Sequence, residues 1–145
     1  MEIDSEHFRK LERLYHGAPI NRFYGPTLTV SHGSAEVVIP VRPEFFHAAH
    51  AVHGSVYFKA LDDAAFFAVN SLVTDVFVLT ASFNLYLTRP VREGTLRATG
   101  RVVHRSRQVF LAESELLDTQ GRQVGRGSGS FMRSTIPLTP DVGYV

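Results

Sequence analysis

The chain has 145 residues, 44% hydrophobic and 20% charged, enough to build one compact domain (residues 1–145) with an adequate core and too few for a second. A formal charge of +1, with arginines spread along several segments, supplies no field for nucleic acid. The absence of cysteine excludes disulfides, thiolate nucleophiles and zinc–thiolate sites and suits a cytoplasmic location. The N-terminus, Met-Glu-Ile-Asp-Ser-Glu-His, lacks the apolar core of a signal peptide. The one long apolar segment, 56–73, is broken by Lys59, Asp62, Asp63 and Asn70, so no membrane span is expected.

In chain order, Ser5 to Tyr15 predict a short amphipathic helix, with Ser5 as its cap and Phe8, Leu11, Leu14 and Tyr15 on one side; Gly17 and Pro19 end it. Strands follow at 27–31 and 35–40, joined through His32-Gly33-Ser34 as a tight hairpin. Residues 42–52, with Pro43, His47 and His50, read as a loop. From His53 to about Leu72 the apolar residues Val56, Tyr57, Ala60, Leu61, Ala64, Ala65, Ala68, Val69 and Leu72 recur at helical spacing, which predicts one long, mostly buried helix.

Residues 77–88 alternate with period two, placing Phe77, Leu79, Ala81, Phe83, Leu85 and Leu87 together on one face. Pro90 ends that strand. Three more are expected at 95–105, 108–118 and 122–133 as an antiparallel meander, followed by an irregular tail from Thr135. Gly125, Gly127 and Gly129 share one face of the last strand, a pattern that fits either a helix lying close against it or a twisted edge. One long helix wrapped by a curved antiparallel sheet is a hotdog-like α+β arrangement.

The long helix carries the chemistry. Asp62 shares its stripe with Phe58 and Phe66, four residues to either side, so desolvation is expected to make it more basic than a free aspartate. Asp63 has Lys59 one turn before it, and the pair is expected on a solvated face. Gly54 opens the helix, where unpaired amides polarise a carbonyl or hold an anion. Gly54 and Asp62 are roughly 12 Å apart at the helical rise, too far for one small carbonyl to touch both. If both serve one reaction, the second comes from another copy of the chain.

These residues resemble the hotdog-fold acyl-CoA thioesterases of the phenylacetate-degradation (PaaI-like) type. The resemblance runs from about Phe45 to Met132. It rests on His53-Gly54 with Asp62 nine positions after the histidine, on the strand from Leu79 to Arg89 ending at Pro90, and on a meander closing in a Gly/Ser-rich strand. It implies hydrolysis of acyl-coenzyme A thioesters, a homodimer with shared active sites, and often a tetramer. Asp62 matches the catalytic carboxylate, nucleophile or general base. Gly54 matches the glycine whose amide polarises the thioester carbonyl, His53 an orienting histidine, and Thr80 a hydroxyl position that holds the attacking water. Two positions depart from the family pattern: the usual His-Gly-Gly is His53-Gly54-Ser55, gaining a capping hydroxyl, and His47 or His50 takes the place of an upstream Asn or Gln.

A thioester is already activated, so one positioned carboxylate and one polarising dipole suffice, and no metal or redox cofactor is implied beyond the coenzyme A of the substrate. His47, His50 and His53, spaced by three, lack a nearby acidic partner in a metal-ligand pattern. Ser55, His47, Phe58, Phe66, Arg89, Arg105 and Arg107 are candidates for contact with substrate, the phenylalanines along an acyl tunnel and the arginines against phosphates. Each has a plainer role open to it: Asp62 as a structural acid, Gly54 as tight helix entry, the phenylalanines as core and the arginines as solvated surface. Two other functions share the scaffold, a non-catalytic acyl-CoA or acyl-carrier binding protein and a dehydratase.

Overall fold

A computed structural model describes residues 2–145, with side chains from Asp4 onward. Helices α1 (Glu2–Gly17) and α2 (Asn21–Tyr24) precede the hairpin of β1 (Thr27–Ser31) and β2 (Ser34–Pro40), closed through His32 and Gly33. The long helix α3 (Gly54–Asn70) comes next, and then β3 (Val76–Leu87), β4 (Thr95–Arg105), β5 (Val109–Leu117) and β6 (Gln123–Pro137). Ser5 does not cap α1, which already runs from Glu2. The tail is not irregular from Thr135, because β6 continues to Pro137 and a short 3-10 turn occupies Pro140–Val142.

The six strands form one antiparallel sheet in the order β1-β2-β4-β5-β6-β3, and α3 lies across its concave side. Ala60, Leu61, Ala64, Ala65, Ala68 and Val69 face the sheet with essentially no exposure. Small residues let the helix sit low. The closest approach is at Gly100 of β4, where a β-carbon would stand 2.3 Å from the carbonyl oxygen of Ala64. Ser114 of β5 donates from Oγ to the Leu61 carbonyl at 2.8 Å, a second tie at mid-helix.

The three aligned glycines of β6 do not mark an edge, since β6 lies between β5 and β3. Gly125 lies under Leu61 and Tyr57 of α3, while a β-carbon at Gly127 or Gly129 would meet the Phe83 ring at 2.6 or 2.5 Å. The row is therefore a seat for an aromatic ring as well as for the helix.

The even alternation expected along β3 is broken. Opposite β6, two residues of β3 span one step of its partner between Thr80 and Ser82, a bulge that reverses the facing of the strand. Before it, Val78 and Thr80 point at α3 while Leu79 is exposed; after it, Phe83 turns inward against Phe58 and Phe131. Leu79 and Ala81 thus do not share a face with Phe83.

The two edges of the sheet are treated differently. On β1, Glu12 of α1 accepts the Val30 N–H at 2.8 Å, Arg9 donates to the Val30 carbonyl at 2.8 Å and His16 accepts the Leu28 N–H at 3.1 Å. The first helix has sealed that edge. β3, twelve residues long, has no strand neighbour on its outer side among the described residues and leaves Tyr86 64% and Leu87 48% exposed.

Candidate active site

α3 starts where the sequence predicts, but its cap is the ring of His53 rather than a hydroxyl. The Ser55 N–H donates to His53 Nδ1 at 3.0 Å, and Ser55 Oγ lies 2.9 Å from the same nitrogen. Accepting there leaves Nε2 as the protonated nitrogen of the neutral ring. The Gly54 N–H, by contrast, meets no acceptor among the described residues. Gly54 lies on the wall of a cavity of about 470 Å3 that is also lined by His47, Val52, Tyr57, Leu87 and Arg89. Tyr57 fixes the far wall by donating its hydroxyl to the Arg89 carbonyl at 2.8 Å. A more polar cavity of about 530 Å3 shares Pro90 with this one and has Arg92 and Arg122 on its wall.

His47 is held by its own turn, its Nδ1 accepting the Ala49 N–H at 3.0 Å, and its ring is 6.5 Å from that of His53. His50 sits in the left-handed region with φ 65° at the tip of the turn. Among the described residues no three His, Asp or Glu side chains converge as a metal site.

Two turns along α3, Asp62 faces β3. Thr80 donates from Oγ1 to Asp62 Oδ1 at 3.0 Å, so the two residues matched separately in the sequence meet across the helix–sheet contact. Burial, and after it the charge of the adjoining Asp63, pushes the Asp62 carboxyl up to about 6; the Thr80 hydrogen bond and Lys59 oppose this. Phe58, 39% exposed, stands against Phe83 on the open side. Phe66 is buried against Phe67, Phe77 and Phe131 and belongs to the core.

The Lys59–Asp63 pair forms at 2.7 Å, yet its face is not solvated: the two side chains are 14% and 15% exposed. Tyr15 of α1 covers them and donates its hydroxyl to Asp63 Oδ2 at 2.7 Å. Arg105 and Arg107 are exposed at the β4–β5 turn. Register carries the rung of Thr80 through Phe131 and Phe110 to Arg105, three strands away and on the order of 14 Å at the usual strand spacing. The structure therefore joins Asp62 with Thr80 and Gly54 with His47, Ser55 and Arg89, and leaves Arg105 and Arg107 apart from both groups.

Sequence reasoning missed Gly100, whose lone glycine between polar and apolar strand residues was the available signal for close helix approach. It also missed Asn70, fully buried at the end of α3. Asn70 donates to the carbonyls of Val73 and Val76 and accepts the Val78 N–H, which fixes the entry of β3 and hence the position of Thr80.

The fold is that of solved hotdog structures. PaaI of Escherichia coli, from the phenylacetic acid degradation operon, superposes with a TM-score of 0.85 at 21% identity over 94% of this chain and 99% of that one. The conserved protein PA5202 of Pseudomonas aeruginosa superposes with a TM-score of 0.76 at 24% identity over 81% of this chain and 94% of that one. In sequence, the chain is 21% identical over 126 residues to "Putative esterase SSO2140" of Saccharolobus solfataricus, covering 87% of this chain and 86% of that protein. The model of one family matches residues 49–124, from the His50 turn through α3 to the start of β6, and on that match the chain belongs to the thioesterase superfamily.

Proposed function

We propose that the protein hydrolyses acyl-coenzyme A thioesters at sites shared between two copies of the chain, with Asp62 of one copy as nucleophile or general base and the Gly54 amide of the other polarising the thioester carbonyl. The observation that carries this reading is the pairing of a dry, proton-retentive carboxylate with an unsatisfied helix amide along a single open edge strand. Along β3, Thr80 stands beside Asp62 and Leu87 beside Gly54, where a β-carbon would lie 3.1 Å from the leucine. Antiparallel pairing of two β3 strands about a two-fold axis at Asn84, with the bulge between Thr80 and Ser82 counted as one step, sets Thr80 of one opposite Leu87 of the other, both on the helix-facing side. That register brings Asp62 to the partner's helix start, the juxtaposition that one chain's own helix forbids.

In the general-base form, Asp62 takes a proton from water held by Thr80. The hydroxide adds to the carbonyl carbon, the oxyanion rests on the amide, and the C–S bond breaks to release coenzyme A thiolate, which collects a proton. In the nucleophilic form the carboxylate itself adds and a mixed anhydride is then hydrolysed. A positioned base contributes about 10²–10⁴-fold and an oxyanion donor roughly 3 kcal/mol. Neither route calls for a metal or redox cofactor. His53, locked by Ser55, orients the turn; His47 and Arg89 line the passage to the polar cavity, a path for the pantetheine arm and phosphates of coenzyme A. Phe58 stands on the acyl side. The exposed row Leu79–Met132–Val109 on the outer face of the sheet offers a second contact, by which dimers pair into tetramers.

The test is a panel of acyl-CoA thioesters followed with a thiol-detecting reagent. Asp62→Asn is expected to abolish turnover in a folded dimer, and unchanged turnover refutes the assignment. Acyl-CoA binding with no cleavage across the panel selects the binding-protein alternative. Single turnover in 18O water separates the two chemical routes, since only the nucleophilic one puts label into the Asp62 carboxyl.

A further inference from the structure

On the flank of α3 turned away from the open edge, Asp63 Oδ2 receives both the Lys59 ammonium and the Tyr15 hydroxyl, each at 2.7 Å. The ammonium lies 5.2 Å from the Tyr15 ring centroid and 5.3 Å from that of Tyr24. Sequestering an ion pair in this way at best breaks even against apolar side chains of equal volume. Stability alone does not account for it, and α1 has independent anchors in Glu12, Arg9 and His16 on β1.

We propose that Asp63, clamped by Lys59 and Tyr15, is a positioning residue that sets the proton affinity of Asp62 by standing next to it as a fixed negative charge. The inference rests on the reading of Asp62 as the reactive group. The charged and titratable groups around Asp62 are Asp63 and Lys59 on α3 and Tyr15 on α1, with the Thr80 hydroxyl on β3. Asp63 drives protons onto Asp62 in concert with burial, and outweighs the opposing pull of Lys59. Burial also raises the Asp63 carboxyl, against the pull of Lys59 and Tyr15. Two donors on one oxygen, one of them a cation, favour the ionised form of Asp63 against that burial. The reactive carboxylate is thereby made more basic without a third carboxyl group or a metal.

The acid limb of the pH–rate profile for acyl-CoA hydrolysis reads this directly, together with 13C NMR titration of the Asp62 carboxyl in the protein without substrate. Wild type is expected to turn near 6. Asp63→Asn removes the repulsion and leaves Lys59 acting alone, so the limb moves toward the ordinary carboxylate range. A drop of about one unit raises activity at pH 5, relative to plateau, about fivefold. The double variant K59M/D63N falls between the two, an ordering that a mere strut does not produce. It leaves no unpaired buried charge, and so carries the test should D63N not fold.

A D63N limb and NMR titration at the wild-type position, with D62N inactive, overturn the inference and leave the proposed function standing. An active D62N overturns the proposed function instead, and a lowered Asp62 titration in D63N still supports the coupling between the two acids.

Discussion

Asp62→Asn is expected to stabilise the fold at neutral pH while removing activity. The folded carboxyl holds its proton up to about 6, against an ordinary value of 3.8. The acid form therefore favours the native state, a contribution fully present below the unfolded value and lost as pH rises through about 6. Roughly two units at 1.36 kcal/mol each is about 3 kcal/mol, reduced to about 2 kcal/mol because water reaches part of the side chain. Asparagine carries no charge to desolvate and keeps an oxygen to accept from Thr80. Urea unfolding at pH 4, 5, 6, 7 and 8, at one protein concentration because association adds to stability, should show the variant ahead by about 2 kcal/mol above pH 7 and level with wild type near pH 4. The difference between the two proteins also cancels the contribution of His7, whose burial lowers its pKa and so weakens the fold as pH falls. A variant less stable than wild type at pH 8, or a difference indifferent to pH, refutes the view that Asp62 sits in a dry, costly place.

Gly54→Pro deletes the helix-start N–H at a position where proline is compatible with helix entry; kcat is expected to fall on the order of 10²-fold with melting little changed. Mixing that variant with Asp62→Asn and allowing subunits to exchange should restore about a quarter of wild-type sites if each site draws on both copies of a two-fold dimer, and none if each chain works alone. Gly100→Ala drives a methyl into the Ala64 carbonyl and should cost at least about 3 kcal/mol by urea unfolding. Asn70→Leu strands the buried Val78 N–H and two carbonyls; a loss of about 3 kcal/mol is expected, with KM and kcat altered in the surviving folded fraction because Thr80 follows the entry of β3.

Much of the arrangement of the candidate site was legible because it is local. His53, Gly54 and Asp62 belong to one helix, and helical spacing fixes their separation without any knowledge of the sheet. The partial burial of Asp62 followed from its place between Phe58 and Phe66. What escaped notice depends on partners far along the chain. The bulge near Ala81 exists only against β6, so a strand that alternates evenly in sequence gives no sign that its facing reverses. Asp63 and Lys59 could be paired from their spacing, but their enclosure comes from Tyr15, which arrives from another helix. The glycine row of β6 left two explanations open until Phe83 was seen lying on it. Ser5 misled because a good capping residue also fits inside a helix whose start lies upstream.

The helix that covers β1 has a consequence for growth of the assembly. A sheet with two bare margins adds copies indefinitely, each newcomer presenting the next vacancy, and ends as a fibre. Here one margin is already occupied by the chain's own Glu12, Arg9 and His16, so a molecule that joins another through β3 has no vacancy left to offer along that sheet. In the proposed pairing through β3, association along the sheet ends at two, with α1 (Glu2–Gly17) as the terminator.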